Sequence, residues 1–407
     1  MRFITRQLKL IRLVSSSIGK TALIIPTIFL VAMGINLISL GIIFYAREVF
    51  QLRPGPIGWL AAVYSLFYIF GCLFVQPVYS RIAPRYTILV STLFSGSLVL
   101  LLTQLRSVPL LYVFYALFGF FTSIFWPPIM GWLSYGREGT RLNRSILVFN
   151  LSWSIPNVIG PLFAGLMSEQ DPKAPLYASS VFLFTALLLV AVASILLPKI
   201  QRDRYIEAET LRESEAGDKS TLLRFPAWLG LFTAYAALGV VINIFPLYAR
   251  YSLFFSKSLV GALLLSRALF GMFAFVLLGR TSFWHFKASL IIGSQFCLIL
   301  ILILMLFVRA TIFYAVLFAS LGFILALIYS ISIFHGIAGS RNRSQRMAIH
   351  EALLMSGIII GSSAGGMLYQ SSSMSRVFLF CIILIAAGLL MQIGLTLFLR
   401  KRERQTA

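Results

Sequence analysis

Charge is what this sequence has least of. Only 11% of its 407 residues are Asp, Glu, Lys or Arg, where a soluble globular domain carries about a quarter. Acids number 12, cysteines three and histidines three. Cys72, Cys297 and Cys381 all fall inside apolar runs, which argues against a disulfide framework or a cysteine metal site. "GKT" at 19–21 has Val14 where the first glycine of a phosphate-binding loop belongs, so no ATP-driven pump is expected. "IHEALL" (349–354) has Leu354 where a zinc-binding H-E-x-x-H needs its second histidine. No nucleophile–base pair is visible, so the chain reads as a non-enzyme without cofactor or metal.

Apolar residues fill the space. They make up 59% of the chain, and the mean hydropathy is +0.92. A helix needs about 20 apolar residues to cross a bilayer. Twelve segments qualify: 21–45, 57–79, 87–104, 109–134, 146–168, 176–197, 227–249, 258–279, 288–308, 311–335, 347–369 and 377–399. The expected fold class is an all-α, multi-pass membrane protein with the lipid bilayer as its solvent.

The 34 basic residues give a net charge of +22. In a soluble protein that excess points to nucleic acid. Here the basic residues sit in short loops, so they read as topology, with no nucleic-acid partner. With the N-terminus inside, 25 Lys and Arg fall on the inner side, eight fall outside, and Arg267 lies within a span. This predicts cytoplasmic termini, in a bacterial inner membrane. The basic start "MRFITRQLKLIRLVSSSIGK" resembles a transit peptide and is read as a retained tail. The one long connection, 199–225, holds six acids and six bases. It reads as a cytoplasmic linker between halves 1–198 and 226–407.

The chain repeats itself. Tyr45-Ala46-Arg47 matches Tyr248-Ala249-Arg250, and Gly58 matches Gly261, both at offset 203. "NRS" recurs at 143–145 and 342–344, and "GPLFAG" (160–165) aligns with "GSSAGG" (361–366). In-order matches at nearly constant offset argue for two six-span halves. Internal repeats of this kind place a transport site at mid-membrane, between the halves.

Twelve spans as 6 + 6, with a charged middle loop, resemble the major facilitator superfamily. That resemblance implies two pseudo-symmetric six-helix bundles, alternating access and a monomer. The family's loop G-x-L-A-D-R-x-G-R-R corresponds to "QPVYSRIAPRY" (76–86). Arg81 and Arg85 fit, but Ser80 replaces the acid and Ala83 the second glycine. The span-five pattern ending G-P-x-x-G-G is better kept, as Gly160-Pro161 and Gly165. In the family it is associated with antiporters. Plain packing by small residues and a Pro hinge explains it equally. Gly361 and Gly365 are the counterparts of this motif in the second half.

Arg267 is the anomaly. At about 1.5 Å per residue it lies roughly 15 Å from Lys257 and 20 Å from Arg280. A charge at that depth costs at least about 2.5–3.5 kcal/mol unless it faces a cavity or a partner. Its repeat mate is Tyr64. Either Arg267 holds an anionic group of a substrate, for which a guanidinium is well shaped, or it bonds helix-end carbonyls and tyrosines. Asn36, Asn243, Tyr115 and Tyr329 complete the candidate substrate-binding set, since the family lines its cavity with spans one, four, seven and ten. Glu351, with repeat mate Asn150, is expected to pair with Arg341, Arg343 or Arg346 in an inner gate, or to carry a coupling proton. Arg81 and Arg85 belong to the same gate. Function reads as secondary transport of a small organic solute with an anionic or polar group. Efflux of amphiphiles is the alternative, and a non-transporting receptor or assembly factor on this scaffold is a third reading.

Overall fold

In hydrocarbon, a backbone can satisfy its own polar groups only as a helix or a closed barrel, and the described spans take the first course. The computed structural model describes residues 17–74, 82, 84–126, 139–196, 221–338 and 343–406. Most of the 199–225 linker, Arg81, Arg341 and the side chains of Asn150 and Arg343 lie outside the described residues.

The first bundle is α1 (Ser17–Glu48), α2 (Pro54–Phe74), α3 (Pro84–Leu102), α4 (Val108–Ser123), α5 (Gly139–Gln170) and α6 (Ala174–Leu196). The second is α7 (Arg224–Asn243), α8 (Phe245–Tyr251), α9 (Lys257–Gly279), α10 (Ala288–Phe307), α11 (Thr311–Ile337), α12 (Arg343–Ser371) and α13 (Met374–Thr406). Ten of these spans are long and apolar enough to cross a membrane, with α7 and α8 counted as one. α4 is shorter, at 16 residues. The seventh span breaks at Ile244, where Pro246 in the first turn of α8 has no N–H to continue the ladder. Prolines also open α2 and α3, where a missing N–H is harmless.

The two bundles meet along two seams, α2 against α12 and α5 against α9. Both are closed by glycine. Gly58 on α2 lies against the Ser362 carbonyl of α12, and Gly261 on α9 lies against the Pro161 carbonyl of α5. Gly366 meets the Pro54 carbonyl, and Gly165 meets the Lys257 carbonyl. These contacts form pairs under the sequence repeat: Gly58 with Gly261, Pro161 with Ser362, Pro54 with Lys257. A side chain at any of the four glycines would push backbone from backbone.

The loops repeat as well. After α1, Gln51 takes φ 54°, Leu52 N–H donates to the Ala46 carbonyl at 3.1 Å, and Arg47 Nη1 donates to the Leu52 carbonyl at 3.1 Å. After α8, Phe254 takes φ 57°, Phe255 N–H donates to the Ala249 carbonyl at 2.9 Å, and Arg250 Nη1 donates to the Phe255 carbonyl at 3.2 Å. These loops mark one face of the protein, here called distal. α1 starts and α13 ends on the other, the termini face.

Candidate substrate site

Polar side chains in the middle of apolar helices need a partner or a cavity. Six of them stay half-buried inside the helical spans: Asn36, Tyr64, Tyr235, Arg267, Tyr329 and Glu351. Arg267 is carried on α9, where Gly322 of α11 packs directly on its backbone carbonyl. The same contact recurs in the first bundle, with Gly119 of α4 on the Tyr64 carbonyl of α2. Helix approach thus fixes both repeat mates at matched positions. The guanidinium of Arg267 accepts no ion pair among the described residues, and its Nε is buried without a hydrogen-bond partner. Tyr235 of α7 lies within electrostatic reach of it.

Aromatic rings line both sides. Tyr64 stacks obliquely on Tyr115 at 5.1 Å and on Tyr68 at 6.3 Å. Opposite, Tyr235 meets Tyr329 at 6.4 Å, and Tyr329 meets Phe275 at 5.6 Å. Trp153 of α5 touches Phe275 of α9 at 6.1 Å and so crosses the seam between bundles. Tyr115 is buried behind Tyr64, at 6% exposure.

The two asparagines are placed differently. Asn36 is half-buried; its amide donates to the Ala32 carbonyl at 2.8 Å, and its Cβ meets Gly160 of α5. Asn243 is buried, and its amide donates to Ser362 Oγ at 2.9 Å, which ties α7 to α12. Gly361 lies on the Ala236 carbonyl and Gly365 on Val240, both within the second bundle. Of the candidate hinge positions, Pro161 and Gly165 sit at the seam, while Gly160 packs within its own bundle.

Of the expected inner gate, Glu351, Arg346 and Arg85 are among the described residues. Glu351 of α12 makes no ion pair there. Arg346 instead places its guanidinium over the Trp228 ring at 5.7 Å. Five residues on a helix turn two side chains to different faces, whereas three or four would align them. Arg85 donates to Tyr86 OH at 2.7 Å, on the surface. Glu351 lies instead within electrostatic reach of Tyr68 and Cys72 on α2 and of Tyr235 and Tyr329.

Sequence reasoning missed a polar clasp at the distal face. Lys257, the first residue of α9, is only 5% exposed. Its Nζ donates to Glu48 Oε2 of α1 at 2.8 Å and to the Ser168 carbonyl of α5 at 2.7 Å. Tyr251 OH donates to Glu48 Oε1 at 2.9 Å. Ser258 N–H donates to Glu169 at 3.1 Å, and Gly55 N–H donates to Gln370 at 3.0 Å. Five hydrogen bonds therefore join the bundles at this face. A separate cavity of about 760 Å³ opens beside it, lined by Trp59, Tyr112, Met367 and Gln370. It carries no charged side chain.

Comparison with known proteins decides the family. A model of the Major Facilitator Superfamily matches residues 24–336. The chain belongs to the Major Facilitator Superfamily. No curated protein sequence matches it. Among solved structures, this superfamily member is similar to a POT family transporter in complex with 5-aminolevulinic acid, with TM-score 0.76, 10% identity and coverage of 94% of this chain and 96% of that one. It is similar to the nucleoside transporter NupG, with TM-score 0.72, 10% identity and coverage of 93% and 99%. It is also similar to the human organic anion transporter MFSD10 (TETRAN), with TM-score 0.64, 11% identity and coverage of 93% and 99%. Identities this low speak for a shared fold. Family and fold together mark the chain as a multi-pass membrane transporter.

Proposed function

We propose that this protein is a secondary transporter of a small organic solute bearing an anionic group, with Arg267 as its anchor. The observation that carries this reading is the guanidinium of Arg267, half-buried midway along α9 within electrostatic reach of Tyr235 and without an ion pair among the described residues. A planar, permanently charged fork suits a carboxylate or phosphate. Tyr64 and Tyr329 flank the solute, Tyr115 supports Tyr64, and Asn36 offers its free amide oxygen. Asn243 is engaged in helix packing and drops out of the set. The protein works as a monomer, with both termini cytoplasmic. The structure then corresponds to a state closed on the outside by the distal clasp, and rocking of the bundles about the two glycine seams opens it.

The test is thermal stabilisation of purified wild type and Arg267→Gln by anionic, neutral and cationic organic solutes. Anions are expected to raise the melting point of wild type and not of the variant, a loss of at least about tenfold in affinity. Equal stabilisation of both proteins by neutral or cationic amphiphiles would make Arg267 structural and favour efflux.

A further inference from the structure

Glu351, towards the termini-face end of α12, is a second unpaired charge inside the bundle among the described residues. Neither it nor Arg267 takes part in an ion pair among the described residues. The two acids nearest the distal face on α1 and α5 differ from it, since Glu48 holds Lys257 and Glu169 holds the Ser258 N–H. A carboxylate in a low-dielectric span needs a positive partner, and no cation of this chain supplies one among the described residues. Its neighbours are tyrosines instead: Tyr68 across the seam on α2, with Tyr235 and Tyr329 from its own bundle. A carboxylate among tyrosines, with no cation of its own, is the chemistry that recognises an ammonium group.

Position gives the size of the ligand. Arg267 lies ten residues from the distal end of α9 and Glu351 twenty from the distal end of α12. At 1.5 Å per residue their backbones differ in depth by about 15 Å, a gap the two side chains partly close. Tyr235 lies between them, within electrostatic reach of both. From this placement we propose that Glu351 is a substrate-binding residue: it holds the cationic pole of an elongated zwitterion whose anionic pole rests on Arg267. The inference rests on the reading of Arg267 given above and narrows the solute class. It excludes compact α-amino acids, whose poles are too close together to engage both residues.

The experiment titrates purified full-length protein at pH 7 with five probes, read by thermal shift: trialanine, 6-aminohexanoate, hexanoate, hexylammonium and glycine. At least one elongated zwitterion is expected to bind wild type about tenfold more tightly than hexanoate does. Glu351→Gln should bring that zwitterion down to the level of hexanoate, Arg267→Gln should bring it down to the level of hexylammonium, and Glu351→Asp should keep part of the gain. If hexanoate equals both elongated zwitterions on wild type and Glu351→Gln changes nothing, the zwitterion inference fails while the anion reading stands. If neither anions nor zwitterions stabilise wild type, both fail. If Glu351→Gln raises the melting point of the empty protein and leaves the zwitterion preference intact, Glu351 is a proton site and the inference is overturned. Should Glu351→Gln not fold, wild-type glycine binding as tight as trialanine would overturn it instead, because the proposed poles stand far apart.

Discussion

At Gly322 a hydrogen is all that fits. A methyl group there would overlap the backbone carbonyl of Arg267, which no side-chain rotation can relieve. The contact presses α11 onto α9 at the one charged residue in the span's interior. Gly293 on α10 is the natural control, because a Cβ added there meets nothing within 4 Å. Gly322→Ala is therefore expected to lower stability by about 1–3 kcal/mol, as overpacking does. Gly293→Ala should be neutral or gain up to about 1 kcal/mol from reduced chain entropy. Thermal unfolding of both variants checks this; equal melting points would refute the packing role. The variant should also weaken anion binding, since it moves the backbone under Arg267. Residues of this kind are unevenly legible. Arg267 stands out in sequence because any charge does in an apolar run. Gly322 does not, because one glycine among many apolar residues has no signature until its neighbour is known. Lys257 was visible as a loop cation, but its partner Glu48 is 209 residues away, and a sequence holds no distance.

Among the elements, the seams and the distal loops make each contact twice, and the clasp breaks that symmetry. Where the first bundle has Pro54 to meet Gly366, the second has Lys257 to meet Gly165. Only the second contact carries a charge, and Glu48 of α1 answers it. Lys257→Met removes the amine but keeps the stem's packing, leaving Glu48 with Tyr251 alone. The Glu48 side chain is 29% exposed, so the loss should fall between surface and fully buried pairs, at about 2 kcal/mol. That loss falls on the distal-closed state alone, so the equilibrium shifts toward distal opening. Spin labels on the distal ends of α1 and α9 should show a longer distance in Lys257→Met than in wild type. Glu48→Gln should match it, and the double variant should add little if the pair acts as a unit. Unchanged distances would mean that the glycine seams, and not the clasp, hold this face shut.

For the whole molecule, the twelve spans and the repeat were legible because both depend on composition and order alone. Hydropathy gives length, and offset 203 gives the internal match. The break of span seven at Ile244 was not read, since Pro246 also fits an unbroken membrane helix. Direction in the membrane rests on charge. In the sequence, Lys and Arg crowd the tails and the connections on the side of the termini, which predicts that this face is cytoplasmic and the clasp external. Phe254 and Phe286 make a clean probe pair: both are exposed, at 83% and 58%, and sit in loops at opposite faces. In a background with Cys72, Cys297 and Cys381 changed to Ser, Phe254→Cys should react with an impermeant maleimide on intact cells. Phe286→Cys should react only after permeabilisation. The reverse pattern would turn the molecule over and with it the meaning of the clasp. With the predicted orientation, the state described here is closed on the outside. Opening the clasp by Lys257→Met then exposes Arg267 to the outside, so external anions should protect a cysteine at the central site more strongly in that variant than in wild type.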